Sequence, residues 1–217
     1  MPSRPAAPSR SARLPRVQRR AQLLDAARAV FVTSGYHAAS MDDIAESAGV
    51  SKPVLYQHFT SKLELYLALV DQGADELTTR VREALGSTTA NKQRAAATME
   101  AFFAFIDDAS GFHRLLFESD ARGEPEVTER VNAVLADCAV EVSHVIEEDT
   151  GLPPDEAMLL SIGMVGAAQV SARYWLENQG PVDRSRAAEL MSTLTWRGIR
   201  GFPMADEGSS DHGTTLD

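Results

Sequence analysis

Apolar residues recur at helical spacing along most of this chain, and no stretch alternates apolar and polar positions over the length of a strand. The clearest stripe follows Ser40 at positions i, i+3, i+4 and i+7, namely Met41, Ile44, Ala45 and Ala48. This spacing places the four side chains on one face of a helix. Ser40 and Asp43 resemble a capping box at its start. The pattern therefore predicts a short helix over residues 41–48.

A second short helix is predicted directly after the first. Gly49 supplies a positive-φ residue that ends a helix, and Ser51 and Pro53 suit the start of the next one. Leu55 and Phe59, one turn apart, would face inward. The outward positions would then hold Lys52, Pro53, Tyr56 and Gln57. Two short helices joined by so tight a turn are typical of a DNA-binding helix-turn-helix.

The remaining periodicity predicts an all-α chain of about nine helices. A helix over residues 16–33, ended by Gly35, would complete a three-helix domain with the helix-turn-helix. A long helix over residues 61–85 opens on a capping box formed by Ser61 and Glu64. The other helices are expected near residues 99–106, 112–117, 125–149, 155–178 and 182–200.

Charge divides the chain in a similar way. The protein has 217 residues and a formal net charge of −10, yet residues 1–70 hold nine Lys or Arg against five Asp or Glu, and residues 71–217 hold twelve against twenty-six. Residues 1–15 are rich in Arg, Pro, Ser and Ala and cannot bury enough apolar surface to fold. We expect a disordered basic arm over residues 1–15, a helix-turn-helix domain over 16–60, a helical body over 61–202 and a disordered tail over 203–217.

The pattern D-x-I-A-x-x-A-G-V-S-x-x-x-L-Y-x-H-F-x-x-K, which ends at Lys62, resembles the TetR family of bacterial transcriptional regulators. The resemblance implies binding to double-stranded DNA and a body that binds a small-molecule effector. Because the start of a recognition helix reaches base edges in the major groove, the predicted base readers are Lys52, Pro53, Val54 and Gln57. The resemblance implies phosphate contacts from Ser40, Ser51, Tyr56, His58 and Lys62. From the basic arm, Arg13 and Arg16 would enter the minor groove.

Alternatives remain open for three of these residues. His58 also suits a structural histidine on the helix surface or in the core. Lys52 and Lys62 also suit solvated charges on the protein surface.

Small residues on the next-to-last helix favour close contact between helices. The TetR resemblance implies that the last two helices form a homodimer through a four-helix bundle, on a palindromic operator. The predicted interface residues are Gly163, Gly166, Ala167, Val170, Tyr174, Leu190 and Leu194. Ordinary core packing is the alternative.

Five of the eight phenylalanines lie between residues 102 and 117, and they indicate either a ligand pocket or plain core. The predicted pocket residues are Met99, Phe102, Phe103, Ile106, Phe112, His113, Phe117 and Arg173. Strings such as GFHRLLFESDARGEPEV are similar to TetR-type regulators of fatty-acid synthesis in actinomycetes. That resemblance implies a long-chain acyl-CoA effector. A TetR-type repressor of efflux or catabolic genes, with another hydrophobic effector, is the alternative.

Other function classes find little support in the sequence. The five histidines lack metal-ligand spacing, and no phosphate-binding glycine loop or catalytic serine motif occurs. The one cysteine, Cys138, excludes an internal disulfide and suits the cytoplasm. The longest nearly uncharged run, residues 157–172, is short for a membrane span. We therefore expect a cytoplasmic regulator without cofactor, metal or membrane contact, and the rival class is a small all-α enzyme or an interaction bundle.

Overall fold

A computed structural model describes residues 14–178 and 180–199. Over these residues the chain forms nine α-helices, one short 3-10 helix and no strand, so the all-α prediction is confirmed. The chain divides into two compact units, residues 1–68 and residues 69–217. Most of the predicted basic arm, residues 1–13, and the predicted tail over residues 203–217 lie outside the described residues.

The first unit contains α1 (Arg16–Ala38), α2 (Met41–Ser47), α3 (Lys52–Tyr56) and the start of α4 (Lys62–Gly86). The predicted apolar positions form its core, and the side chains with no exposed surface include Leu23, Ile44, Leu55 and Phe59. α3 is shorter than the sequence pattern suggests, because the chain turns after Tyr56. Phe59 lies beyond this turn but is buried as predicted.

Glycines set two chain reversals in this unit. Gly49 adopts φ 64° between α2 and α3, and Gly35 adopts φ 79° and interrupts α1 near its end. An L side chain is strained at such angles. The capping box predicted at the start of α2 is present. The Asp43 N–H donates to Ser40 Oγ at 3.1 Å, and Asp43 Oδ2 accepts from the Ser40 N–H at 3.0 Å.

The second unit contains the rest of α4, followed by α5 (Asn91–Ile106), α6 (Phe112–Phe117), a 3-10 helix (Asp120–Gly123), α7 (Pro125–Thr150), α8 (Pro154–Glu177) and α9 (Arg184–Ile199). α7 packs along α8, and α5 packs against α8 and α9. These helix bounds lie within a few residues of the predictions where a helix end was predicted, because Gly and Pro residues mark most of the ends. The 3-10 helix was not predicted.

Ion pairs join the helices of the second unit. Arg80 on α4 donates to Asp108, in the α5–α6 connection, at 2.9 Å, and the Ser110 N–H donates to the same carboxylate at 2.7 Å. The Arg80 hydrogen bond, followed by that from Ser110, lowers the pKa of Asp108 to about 2. Arg82 on α4 pairs with Glu141 on α7 at 2.6 Å. These contacts hold the second part of α4 against its neighbours.

Candidate functional site

The outer face of α3 carries the predicted base readers. Lys52, Pro53 and Gln57 are exposed, and Val54 is half-buried. Leu55, on the opposite face, is fully buried. Because burial of Leu55 fixes the rotation of α3, the predicted readers share one accessible side. A helix with such a side fits the major groove of DNA.

Lys52 is held by an acidic residue of α2. Its Nζ lies 2.8 Å from Asp42 Oδ1, and the hydrogen bond to Asp42 raises the pKa of Lys52. Both side chains are largely exposed, and exposed pairs contribute little to stability. The Lys52 ammonium can therefore leave Asp42 and donate to the edge of a guanine base instead. Asp42 was not predicted as part of the site, since an acidic first turn of a helix is common.

A basic patch lies beside α3, formed by His58 and by Arg16, Arg19 and Arg20 at the start of α1. Burial lowers the pKa of His58, and the three arginines lower it further. The imidazole is therefore neutral at pH 7. The Arg20 guanidinium lies 4.6 Å from the centroid of the Phe59 ring. Arg16, which was predicted to enter the minor groove from the arm, is the first residue of α1. An imidazole N–H and guanidinium groups all donate to phosphate oxygens, so Arg16, Arg19 and Arg20 can join the predicted phosphate contact His58.

The other predicted phosphate contacts differ in their availability. Ser51 and Tyr56 are exposed. Ser40 already donates both its N–H and its hydroxyl to Asp43, so a phosphate would compete with Asp43 for these donors. Arg13 lies outside the described residues.

Lys62, a predicted phosphate contact, makes hydrogen bonds to the protein backbone. Its Nζ donates to the backbone oxygens of Tyr36 at 2.7 Å, Ala39 at 3.0 Å and His37 at 3.4 Å. The same Nζ lies 4.5 Å from the centroid of the Tyr36 ring. These three bonds use all the donors of an ammonium. Lys62 therefore stabilises the chain reversal after Gly35, and a phosphate contact would require it to give up these bonds.

One face of α8 and α9, called here the α8–α9 face, leaves apolar side chains exposed. The large ones are Leu159, Ile162, Val170, Tyr174, Leu190 and Leu194, with Leu159 72% exposed. Gly163 and Gly166 belong to the same face, and a methyl group added to either would meet no described atom within 4 Å. The predicted interface residues thus lie together at the surface, although Gly166 and Ala167 are half-buried. Leu159 and Ile162, which share this face, were not among the predicted interface residues.

A largely apolar cavity of about 290 Å³ lies inside the second unit. Its wall comes from α4, α5, α7, α8 and α9 and includes Val81, Leu85, Ala95, Thr98, Val142, Val145, Ile146, Met164, Val165, Ala168, Thr195 and Trp196. The charged lining residues of α5 and α7 lie at one end of the cavity, where Arg94 Nη1 is 3.4 Å from Asp149 Oδ2. Met99 and Phe102 of α5 and Cys138 of α7 line the cavity away from that end.

This cavity differs from the predicted pocket. Met99 and Phe102 line it, whereas Phe103 contacts Trp175 with ring centroids 6.0 Å apart. Successive residues of a helix are turned by about 100°, which takes Phe103 off the face of Phe102. Ile106 lies one turn beyond the cavity. Four further predicted residues do not line it, namely Phe112, His113, Phe117 and Arg173.

Several lining residues were missed by the sequence prediction. Arg94 and Thr98 carried no signal, because the first half of α5 reads as an ordinary amphipathic helix. The sequence showed the apolar series of α7, but it could not show which of these side chains border the cavity. Cys138 is buried as predicted, and burial raises the pKa of its thiol to about 11. The thiol therefore stays protonated at pH 7 and is a poor nucleophile.

Within residues 14–178 and 180–199, no group of three or more His, Cys, Asp or Glu side chains is placed to hold a metal ion. No helix in this part of the chain has the length and apolar character needed to cross a membrane.

Known proteins resemble both units of the chain. Residues 23–69 match the bacterial regulatory proteins of the tetR family. Over 195 residues the chain is 49% identical to the HTH-type transcriptional activator FasR of Mycolicibacterium smegmatis, an alignment that covers 90% of this chain and 89% of that protein. A TetR-like transcriptional regulator from Rhodococcus sp. RHA1 matches with a TM-score of 0.70 at 30% identity, over 87% of this chain and 100% of that one. The transcriptional regulator FadR of Bacillus subtilis, in complex with stearoyl-CoA, shares the fold with a TM-score of 0.67 at 20% identity, over 82% and 98% of the two chains.

Proposed function

Because the chain belongs to the TetR family of bacterial transcriptional regulators, we propose that it binds a palindromic operator as a homodimer and controls fatty-acid biosynthesis genes in response to an acyl effector. The main observation in support of DNA binding is that the exposed side of α3 lies beside a basic patch. The sequence resemblance to regulators of fatty-acid synthesis supports the fatty-acid role, and the 49% identity to the transcriptional activator FasR favours activation of the target genes. Such a regulator acts where the bacterial chromosome is, in the cytoplasm.

Sequence readout is proposed to come from Lys52 and Gln57. Lys52 can donate to guanine O6 and N7, and Gln57 can pair with adenine. Pro53 and Val54 offer apolar surface to a thymine methyl group. Register on the duplex would come from phosphate contacts by Ser51, Tyr56 and the basic patch of Arg16, Arg19, Arg20 and His58.

We expect Lys52→Ala and Gln57→Ala to weaken operator binding far more than binding to random DNA. Each lost base contact should cost about 1–3 kcal/mol of discrimination. Mobility-shift titrations on the operator and on a scrambled duplex of equal length would measure the ratio of the two affinities.

Arg19→Ala is the matched control for this measurement. A phosphate contact carries no sequence information, so this variant should weaken binding to both duplexes alike and lower the salt slope by about one. Equal losses on both duplexes for Lys52→Ala and Gln57→Ala would refute their assignment as base readers.

The effector is proposed to bind in the cavity of the second unit. The wall is mostly apolar, as an acyl chain requires. The FadR structure with stearoyl-CoA shows that this fold can accept such a ligand. Val81 and Leu85, which line the cavity, belong to α4, and α4 also contributes its first residues to the DNA-binding unit. We therefore assign the transmission of the signal to α4.

Addition of a long-chain acyl-CoA is expected to change operator affinity by about 5-fold to 150-fold, the usual range of coupling between two sites. A mobility-shift titration with and without the acyl-CoA measures this change. Ala168→Met, which places a larger side chain in the cavity wall, should keep operator binding and lose the response. Identical operator affinity with and without acyl-CoA in the unaltered protein would exclude long-chain acyl-CoA as the effector.

A further inference from the structure

The polar end of the cavity holds a partly buried cation that is poorly satisfied by the protein. Arg94 is 18% exposed, and its Nε donates to the Thr88 carbonyl at 2.8 Å. Its Nη1 reaches Asn91 Oδ1 and Asp149 Oδ2 only at 3.4 Å each. Charge-assisted hydrogen bonds are normally about 2.7–2.9 Å long. Nη2 has no hydrogen-bond partner among the described residues.

A second polar group near Arg94 also lacks a partner. Thr98 lies one turn further along α5 and lines the cavity, and its hydroxyl is buried without a hydrogen bond to any described residue. Rotation about its χ1 would break no protein hydrogen bond and would present the hydroxyl to the cavity. Buried polar groups without partners are rare in folded proteins, and each calls for an explanation.

The rest of the wall defines the shape of what could satisfy these groups. From Asn91 to Phe102 the lining face of α5 rises by about 16 Å, at about 1.5 Å per residue, and apart from the Thr98 hydroxyl the lining side chains beyond Arg94 are apolar. A volume of about 290 Å³ is close to the lower end of the roughly 300–1,000 Å³ that small-molecule pockets span. The cavity thus suits a linear aliphatic chain with one polar end.

We propose that the cavity binds a linear aliphatic carboxylate whose head group pairs with Arg94 and displaces Asp149. This deepens the proposed function, on which it rests for the role of the ligand, by naming the free acid rather than the CoA thioester as the form of the acyl effector that Arg94 holds. A carboxylate matches the fork of a guanidinium and uses the free Nη2 together with Nη1. The Thr98 hydroxyl would donate to its second oxygen. Because Asp149 lies near the end of α7, its release would couple the ligand to the α7–α8 connection.

The test compares decanoate with decanol by isothermal titration calorimetry, on the full chain without DNA. In the unaltered protein decanoate should bind more tightly. Arg94→Gln should lower decanoate affinity by about 10-fold to 100-fold, as expected for loss of charged hydrogen bonds, and should leave decanol affinity unchanged. Asp149→Asn removes the competing carboxylate and should raise decanoate affinity several-fold. Decanoyl-CoA forms a third arm, because an effector held by its thioester should not gain from Asp149→Asn.

Two controls keep the test decisive. Arg82→Gln removes an arginine whose partner, Glu141, is outside the cavity, and it should change neither affinity. The double variant Arg94→Gln with Asp149→Asn leaves no unpaired charge, so it tests the head group even where Arg94→Gln alone unfolds. An equal ratio of decanoate to decanol affinity with and without Arg94, or no binding of decanoate at all, would overturn the proposal. Neither result bears on operator recognition, which the readout variants of α3 test separately.

Discussion

Leu159→Lys is expected to convert the proposed homodimer into a monomer and to reduce operator affinity by about 100-fold or more. Leu159 is the most exposed large apolar side chain of the α8–α9 face, and a lysine there would place an unpaired charge in the proposed interface. Linking two binding modules raises the overall affinity by about 10²–10⁴, and a monomer loses this gain. Sedimentation velocity measures the oligomeric state, and mobility shift measures the operator affinity.

Val140→Lys is the matched control, because Val140 is an exposed apolar residue on α7, outside the α8–α9 face. It should leave both the dimer and the operator affinity unchanged. Gly166→Ala provides a second disruption of the face. A methyl group at Gly166 meets no described atom of the same chain within 4 Å. Any loss of the dimer would therefore come from a clash with the partner subunit. A Leu159→Lys protein that sediments as the unaltered one does would place the interface elsewhere.

The helices were predictable from the sequence because their signals are local. Ser40 and Asp43 form the expected capping box, and Gly49 adopts the expected positive φ. Leu55 and Phe59 are buried as the stripe predicts, although α3 ends before Phe59. The family followed from the same residues, and the relatives are transcriptional regulators rather than enzymes.

The cavity could not be predicted in the same way, because it depends on how five helices are rotated against one another. Most of the phenylalanine cluster of α5 and α6 packs away from the cavity, and Phe102, which does line it, also stacks against Phe117 with 6.3 Å between ring centroids. Arg94 faces the cavity because α5 begins close to the end of α7. A single sequence shows the composition of a helix face, but not the neighbour that the face meets.

The same limit explains Lys62, whose two interpretations can be separated by experiment. The motif implies a phosphate contact, whereas the structure places its ammonium on three backbone oxygens that converge after the break at Gly35. We expect Lys62→Met to lower the unfolding free energy of the first unit by about 1.5–3 kcal/mol, the range for hydrogen bonds to a charged group. Hydrogen exchange of the amides in α1 and α2, followed by mass spectrometry, reports this local stability.

DNA binding provides the second measurement on Lys62→Met. A structural lysine predicts an unchanged salt slope of operator affinity, since no phosphate contact is lost. A phosphate-binding lysine predicts a slope lower by about one and unchanged amide protection. Lys92→Met, which removes an exposed lysine at the start of α5, should alter neither quantity. Because the two interpretations differ in both measurements, a lower salt slope with full protection would restore the role that the sequence motif implies.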